Sequence, residues 1–237
     1  MSRLFSIQSR RRHCGVLGFA CWALFAAPGI AAGSSKHNDY QLWLDGRVSA
    51  PVAGKIGFSI ETLLQITNGV SRPGLLLVRP LVTYTVNSRV SVGGGYTYLA
   101  ADDHVGSNFH EHRAVEEITL KSSSKSDQLL LTSRTRLEQR FRDHEEGTQW
   151  RLREMARLDV PIGEGRRLVG STEIFVALNQ TTWGGRSRPL FLQSFAGVHF
   201  PISKKAAIEP GYINQTYFDP GANRTRHALA LFFTSAL

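Results

Sequence analysis

Tyr40-Gln41-Leu42-Trp43-Leu44-Asp45-Gly46-Arg47-Val48-Ser49-Ala50 is the stretch that decides the fold class. Its even positions Tyr40, Leu42, Leu44, Val48 and Ala50 are apolar or small, while Gln41, Trp43, Asp45, Arg47 and Ser49 stand between them. A period of two puts alternate side chains on opposite faces of a strand, one face apolar and the other mainly polar. After Pro51 to Gly54 the pattern resumes, with Ile56, Phe58, Ile60, Leu64 and Ile66 against Lys55, Ser59, Glu61, Gln65 and Thr67. The runs Tyr40 to Ala50 and Lys55 to Thr67 are 11 and 13 residues long. That is the length of a tilted membrane strand and about twice the common globular strand of roughly 5–6 residues.

The same register spreads outward along the chain. Val78, Val82, Tyr84 and Val86 oppose Arg79, Thr83 and Thr85, and Val90, Val92, Tyr96 and Tyr98 oppose Ser91, Gly93, Gly95 and Thr97. In the middle, Leu129, Leu131, Leu137 and Phe141 alternate with Arg134, Arg136, Glu138 and Arg140. Trp150, Leu152, Ala156 and Leu158 then alternate with Arg151, Arg153, Arg157 and Asp159, and Leu168, Ile174, Val176 and Leu178 oppose Glu173 and Asn179. Further segments cover about 189–200, 204–217 and 224–236. Short turns (Pro51–Lys55, Asn87–Arg89, Pro161–Gly165, Pro201–Lys204) alternate with longer polar loops (Thr67–Gly74, Ala100–Asn108, Gln180–Pro189, Phe218–Arg224). No helical period of useful length and no run of 18 apolar residues follows the N-terminal region. The reading is all-β: an antiparallel transmembrane β-barrel of 10–12 strands, with termini and short turns at one rim and long loops at the other. Eleven segments can be counted, and single-chain bacterial barrels use even numbers, so one segment in excess or one missed is expected.

Residues 1–32 read as a cleaved secretory signal peptide. Arg3, Arg10, Arg11 and Arg12 precede the apolar run Cys14 to Ala27, and Pro28 to Gly33 is small-residue rich. Four of the 28 basic residues and none of the 19 acidic ones lie in that segment, so the whole-chain +9 falls to +5 for residues 33–237. Much of the basicity is thus export signal, and no nucleic-acid partner is expected. Cys14 and Cys21 are the two cysteines. The exported part therefore has no disulfide, thiol nucleophile or cysteine metal site. One domain, 33–237, remains, placed in the bacterial outer membrane, with membrane lipid and the barrel-insertion machinery as partners.

Several stretches together resemble a known family. They are Phe109-His110-Glu111-His112-Arg113, Ser133 to Phe141, Trp150-Arg151-Leu152-Arg153, Glu173 to Asn179 with Trp183-Gly184, and Gly211-Tyr212-Ile213-Asn214-Gln215. The family is an uncharacterised proteobacterial one, catalogued as a domain of unknown function and regarded as outer-membrane barrels. The likeness runs from about 39 to 233, and its strongest piece is Arg134 to Phe141. It implies fold and location and brings no activity or catalytic residues. Such barrels commonly end on an aromatic residue; this chain ends on Leu237.

The best functional lead is the set of charges on the inward phase: Arg134, Arg136, Glu138, Arg140, Arg151, Arg153, Arg157 and Glu173, with Glu111, Glu117, Asp159 and Glu209 as further inward acids. Guanidinium groups pair bidentately with carboxylate and phosphate, so these residues suit a narrow path for a small anionic solute. They equally suit a salt-bridged core that fills the lumen. Glu116 and Glu154 fall on the apolar phase, where a β-bulge would turn them inward. His110 and His112 share one strand face near Asp102, Asp103 and His104, a spacing that fits a polar rim better than a metal site. No cofactor and no metal are expected. Neither Gly-x-Ser-x-Gly nor His-Glu-x-x-His occurs, although Ser194, His199, Glu209 and His227 could serve a lipid-modifying enzyme if they met. Gly93-Gly94-Gly95 lacks the Lys-Ser/Thr of a phosphate loop and reads as a site of tight curvature. Trp43, Tyr96, Tyr98, Trp150, Trp183, Tyr212 and Tyr217 are candidates for interfacial aromatic girdles. Three functions stay open: a structural or narrowly conducting membrane barrel, a lipid-modifying enzyme of the outer membrane, and a soluble periplasmic ligand-binding barrel with its charges outside.

Overall fold

The computed structural model describes residues 40–102, 108–123, 128–219 and 223–237; residues 1–32, with Cys14 and Cys21, lie outside them, as do Asp103 and His104. Eleven strands are present among the described residues: β1 (Tyr40–Ala53), β2 (Ile56–Thr67), β3 (Arg72–Thr85), β4 (Val90–Asp102), β5 (Asn108–Ser123), β6 (Leu130–Arg142), β7 (Gln149–Gly163), β8 (Arg166–Ala177), β9 (Arg188–Pro201), β10 (Ala206–Tyr217) and β11 (Arg224–Ala236). They follow one another around a single closed barrel. Closure leaves no unpaired edge, which accounts for the backbone donors and acceptors of the whole wall.

Sequential neighbours are antiparallel, and the seam between β1 and β11 is parallel, running from Tyr40 opposite His227 to Ser49 opposite Ala236. This is a consequence of parity. In an up-and-down meander with an odd number of strands, the first and last run the same way, so the ring can close only through a parallel pair. No segment has to be dropped or added, which corrects the expectation drawn from even-numbered barrels. It also corrects the placement of the termini. The C-terminal end sits with the short turns, where Leu237 N–H donates to Ser49 O at 2.8 Å and Ala236 N–H to Lys205 O at 2.8 Å. Tyr40, by contrast, enters the barrel at the long-loop rim, beside His227.

Register shifts occur near strand ends, at Pro51/Ala53, Gln65/Ile66, Pro161/Gly163 and Phe175/Val176. The β5–β6 and β6–β7 ladders run without interruption, so no bulge reverses Glu116 or Glu154. Both side chains stay on the outer face, and Glu154 accepts a hydrogen bond from Ser133 Oγ at 2.8 Å and another from Thr135 Oγ1 at 2.5 Å.

The outer face is otherwise lined with exposed Leu, Val, Ile and aromatic side chains, among them Leu44, Val48, Ile60, Val82, Ile118, Leu131, Leu168, Leu229 and Leu231. Inside, one side of the barrel is apolar: Trp43, Val169, Phe195, Ile213, Ala228 and Ala230 pack together, with Leu63 and Phe232 against them. Phe195 meets Phe232 edge-on at 4.9 Å between centroids, a favoured aromatic geometry. The Phe195 ring also occupies the space left by the cross-strand pair Gly197 and Gly211, where any Cβ would strike it.

Gly95 answers a different need. It faces Leu81 across the β3–β4 ladder, and a Cβ there would overlap the Pro80 carbonyl and come within 2.8 Å of Leu81 Cδ2. The wall is that tight at Gly95, where the β3 backbone approaches β4 too closely for a side chain. Gly95→Val should therefore lower unfolding stability in urea by about 1–3 kcal/mol, the usual cost of overpacking. Gly94→Val, whose Cβ would meet nothing closer than Val115 O at 3.4 Å, should leave the midpoint nearly unchanged.

Candidate functional site

Alternation on β6 and β7 aims Arg134, Arg136, Glu138, Arg140, Arg151, Arg153 and Arg157 into the lumen, and β8 does the same for Glu173. Arg136 lies directly opposite Arg153, and Glu138 opposite Arg151. Like charges in register would repel; carboxylates from four other strands resolve this.

Glu138 is the hub. Its side chain has no exposed surface. Arg151 Nε donates to Oε2 at 2.7 Å and Arg153 Nη1 to Oε1 at 2.9 Å, while Arg79 and Arg113 stand at 3.6 and 3.9 Å. Arg153 also forms a two-pronged pair with Glu173, at 3.0 and 2.8 Å, and Arg134 Nη2 joins that carboxylate at 3.1 Å. Glu111 accepts from Arg113 Nε at 2.6 Å and from Arg140 through Nε and Nη2 at 2.7 and 2.8 Å. Toward the short-turn end, Arg157 clamps Glu209 at 2.9 and 2.7 Å and Asp159 at 2.9 and 2.8 Å, and His199 Nδ1 meets Glu209 at 2.8 Å.

Some of these pairs cross the lumen instead of running along its wall. Arg136 on β6 reaches Glu61 on β2 at 3.5 Å as well as Glu117 at 2.6 Å, although β3, β4 and β5 separate the two strands around the ring. Arg79 on β3 bridges in the same way, from Glu61 at 2.8 Å toward Glu138, and its Nε donates to Thr97 Oγ1 at 2.7 Å. Arg136 is 1% exposed and Glu111 0%. A continuous water path would leave accessible surface on the side chains lining it, so the lumen is filled at this level.

Sequence reasoning missed Glu61, Arg79 and Arg113 as members of this network. Each stands on the inward phase of its strand, so the alternation that located Arg134 and Glu138 would have located them too. Glu61 pairs with Arg79 across the β2–β3 ladder and Arg113 with Glu111 on its own strand; the contacts of Glu61 with Arg136 and of Arg79 with Glu138 could not be foreseen, because contact across the lumen depends on how tightly the sheet curls. The long-loop mouth carries a second closure. The loop 178–187 folds back so that Trp183 Nε1 donates to Glu146 O at 3.2 Å, and its ring lies over Arg140 and Arg142 at 5.3 and 4.9 Å. Gln149, fully enclosed beneath, donates to Gly184 O and accepts from Arg140.

The remaining candidates do not assemble into a site. Ser194 and His227 both face outward, but Asn214 stands between them in the ladder and the His227 ring is paired with the Tyr212 hydroxyl. His199 and Glu209 face inward. His110 and His112 point outward and pair with the hydroxyls of Tyr98 and Tyr96, and His112 Nε2 lies 3.2 Å from Asp143. No group of metal-binding side chains is found among the described residues. Tyr96, Trp150 and Tyr212 are exposed on the outer wall, as girdle residues would be. Trp43 is not: it is 5% exposed inside the barrel, its Nε1 donating to Gln41 at 2.9 Å, because it lies on the inward phase. Trp183 belongs to the closing loop, and Tyr217 packs on Phe191 with Arg226 over its ring.

The family model described as a protein of unknown function, DUF2490, matches residues 40–226, from the first residue of β1 into β11. The chain belongs to the DUF2490 family. An uncharacterized protein of Methylorubrum extorquens strain AM1 is 35% identical over 195 residues, covering 80% of this chain and 84% of the relative. No solved structure matches. In this DUF2490 barrel the run Arg134 to Phe141, the strongest piece of the resemblance, is β6, the strand that carries the hub.

Removing one member of a buried ion-pair network strands its partners without compensation. Glu138→Gln should therefore cost about 3–5 kcal/mol in unfolding free energy, read from the denaturant midpoint. Glu116→Gln on the outer face should change it by no more than about 0.5 kcal/mol.

Proposed function

We propose that this protein is an exported outer-membrane β-barrel whose lumen is held shut by its own arginines and carboxylates, a structural element of the membrane and not an open channel. The observation that carries the reading is the distribution of surfaces. Large apolar side chains are exposed around the outer wall, while the buried charges face inward. A water-soluble barrel would reverse that arrangement, since a monomer in water rarely exposes a contiguous apolar patch beyond a few hundred Å². The soluble ligand-binding alternative is disfavoured for the same reason. The basic, then apolar, then small-residue pattern of residues 1–32 supports export.

In this reading the short turns and the C-terminus face the periplasm and the long loops face outward. Because the strand count is odd, β1 is then entered from the outside. The arginines act as a core. They hold the wall at a fixed curvature by tying β6 and β7 to β2, β3, β5, β8 and β10, and the enclosed charges leave no continuous water path.

Envelope fractionation with a gel-shift on heating tests the placement. The expected result is retention in the outer-membrane fraction after carbonate wash, with faster migration before boiling; recovery as a soluble periplasmic protein would sink it. Epitope insertion tests the topology: a tag between Gly33 and Tyr40 should be reached by antibody on intact cells, and a C-terminal tag only after permeabilisation. In planar bilayers the wild type should give no stepwise conductance. Changing Arg134, Arg136 and Arg151 together to Gln should lower the unfolding midpoint; resolved anion-selective steps in the wild type would instead favour a conducting path.

A further inference from the structure

Most of the ion pairs in the lumen join into one set. Nine guanidiniums, from Arg47 at one end to Arg142 at the other, share five carboxylates: Glu61, Glu111, Glu117, Glu138 and Glu173. Arg157 and His199 with Asp159 and Glu209 form a separate group of two bases and two acids. Arg47 and Arg142 are the most exposed of the nine, with 41% and 22% of their side chains open, so solvent balances them. Asp45 stands on the inward phase of β1 with Trp43 and Arg47, and among the described residues it joins none of these pairs. Leaving out the two solvated arginines and adding Asp45 still sets seven guanidiniums against six carboxylates. The interior carries a positive charge that its own acids do not balance.

A guanidinium does not escape burial by giving up its proton. An uncompensated charge in a low-dielectric interior therefore has to be offset by a counterion. Unpartnered donors mark the place. Arg79 and Arg136 are both more than nine-tenths buried. Their guanidiniums are neighbours, since Arg79 Nη1 and Arg136 Nη2 both reach Glu61 Oε2, at 2.8 and 3.5 Å. Each keeps another buried nitrogen, Arg79 Nη2 and Arg136 Nη1, that hydrogen-bonds to no acceptor among the described residues, and Arg134 Nε is a third. The hydroxyl of buried Ser59, two residues from Glu61 along β2, is a fourth. Water could accept these hydrogen bonds but would leave the charge in place. Glu61, tied to Arg47, Arg79 and Arg136, holds three guanidiniums together without balancing them.

The same end of the network borders a cavity. The inward-phase residues Arg47, Ser49, Ser59, Thr83 and Thr85 lie in the lining of a space of about 290 Å³ at the short-turn ends of β1, β2 and β3. An ion entering from that rim meets hydroxyls and Arg47 before Arg79 and Arg136. It does not have to cross the closed middle of the barrel.

We propose that one inorganic anion of about the size of chloride is bound among Arg79, Arg134, Arg136 and Ser59 as a fixed counterion of the lumen. The inference takes from the reading above only the enclosure of the charges and does not depend on the membrane placement. A monatomic ion suits the position, because Arg136 has almost no exposed surface and a larger acid could not reach it. Such an ion belongs to the core, as the arginines do.

The test follows urea unfolding of the folded chain, residues 33–237, in a non-ionic detergent at neutral pH while chloride replaces gluconate at constant ionic strength. Gluconate is too large for the enclosed donors, and constant ionic strength holds general screening fixed. An ion bound at one site of the folded state should raise the folding constant about tenfold for each tenfold rise in chloride, once the site is mostly filled. Ser59→Asp sets a carboxylate beside the same donors. It should abolish the dependence and bring the midpoint in gluconate close to that of the wild type in chloride. Arg136→Gln should abolish the dependence as well, whatever its own midpoint. Lys204→Gln with Lys205→Gln, which removes two cations of the β9–β10 turn, should leave it intact. In crystals grown with bromide, anomalous scattering should place an ion beside Arg79 and Arg136. Bromide on rim lysines alone, an adventitious ion only, overturns the site. So does a wild-type midpoint indifferent to chloride, or a dependence that Ser59→Asp leaves unchanged. The heat-dependent gel shift in detergent is read first: its absence means that the closed barrel does not form, and the enclosure reading then falls together with the site.

Discussion

Enclosure of the Arg–carboxylate network around Glu138 is the interaction on which the rest of this barrel depends. Buried ion pairs are weak evidence for stability in themselves, since desolvation consumes most of what the attraction supplies. What they supply here is register. A strand that slips by one residue exchanges its faces, which would carry Arg136 and Arg153 to the apolar wall and bring Leu137 and Leu152 inside. With a purely apolar interior that slip would be inexpensive. With guanidiniums and carboxylates inside, and Glu138, Arg153, Arg136 and Glu173 each paired with two or more partners, it would strand several charges at once. The network thus discriminates against wrong pairings more than it adds to the right one.

The cross-lumen bridges add a second constraint. Arg136 can touch both Glu117 beside it and Glu61 on the far wall only if the barrel has one particular width. An extra pair of strands would widen the ring and pull Glu61 away; two fewer would crowd Arg79, Arg136 and Glu138 together. Eleven strands, closed by a parallel seam, give a lumen that these side chains can fill. The parallel seam is the geometric cost of the odd number, and the ring closes with ten residue pairs there.

These features also explain what could be read from the residues beforehand. The strands were legible because their alternation is local: Leu137 and Leu152 outward and Arg136 and Arg153 inward follow from a period of two. The outward Glu116 and Glu154 were legible by the same argument, and the ladders around them run unbroken. The direction of the seam and the rim at which Tyr40 enters were missed, because both follow from the parity of the whole ring, and the eleven segments counted were set against the even number usual for such barrels. Trp43 was placed among the girdle aromatics by its position near a strand end, when its phase put it inside. Glu61 and Arg79 stood on the right face and pair with each other across the β2–β3 ladder, yet their further partners Arg136 and Glu138 lie four and three strands away, beyond the reach of any sequence spacing.

The lumen has two unlike halves, and the division bears on where this protein can act. From β2 to β8 it is ionic; from β8 through β11 to β1 it is filled by Trp43, Phe195, Ile213 and small residues that let the rings in, apart from His199 and Glu209, which join Arg157 toward the short-turn end. Above the ionic half the loop carrying Trp183 lies over Arg140 and Arg142. A barrel that is packed in the middle and covered at one mouth has spent its interior on its own architecture. The surfaces left to meet other molecules are the outer wall and the rims, and these are not uniform: tyrosine–histidine pairs stand on the wall toward the long loops, and cations gather at the short turns. Chemistry that distinguishes one rim of the barrel from the other is therefore written on the outside of this protein.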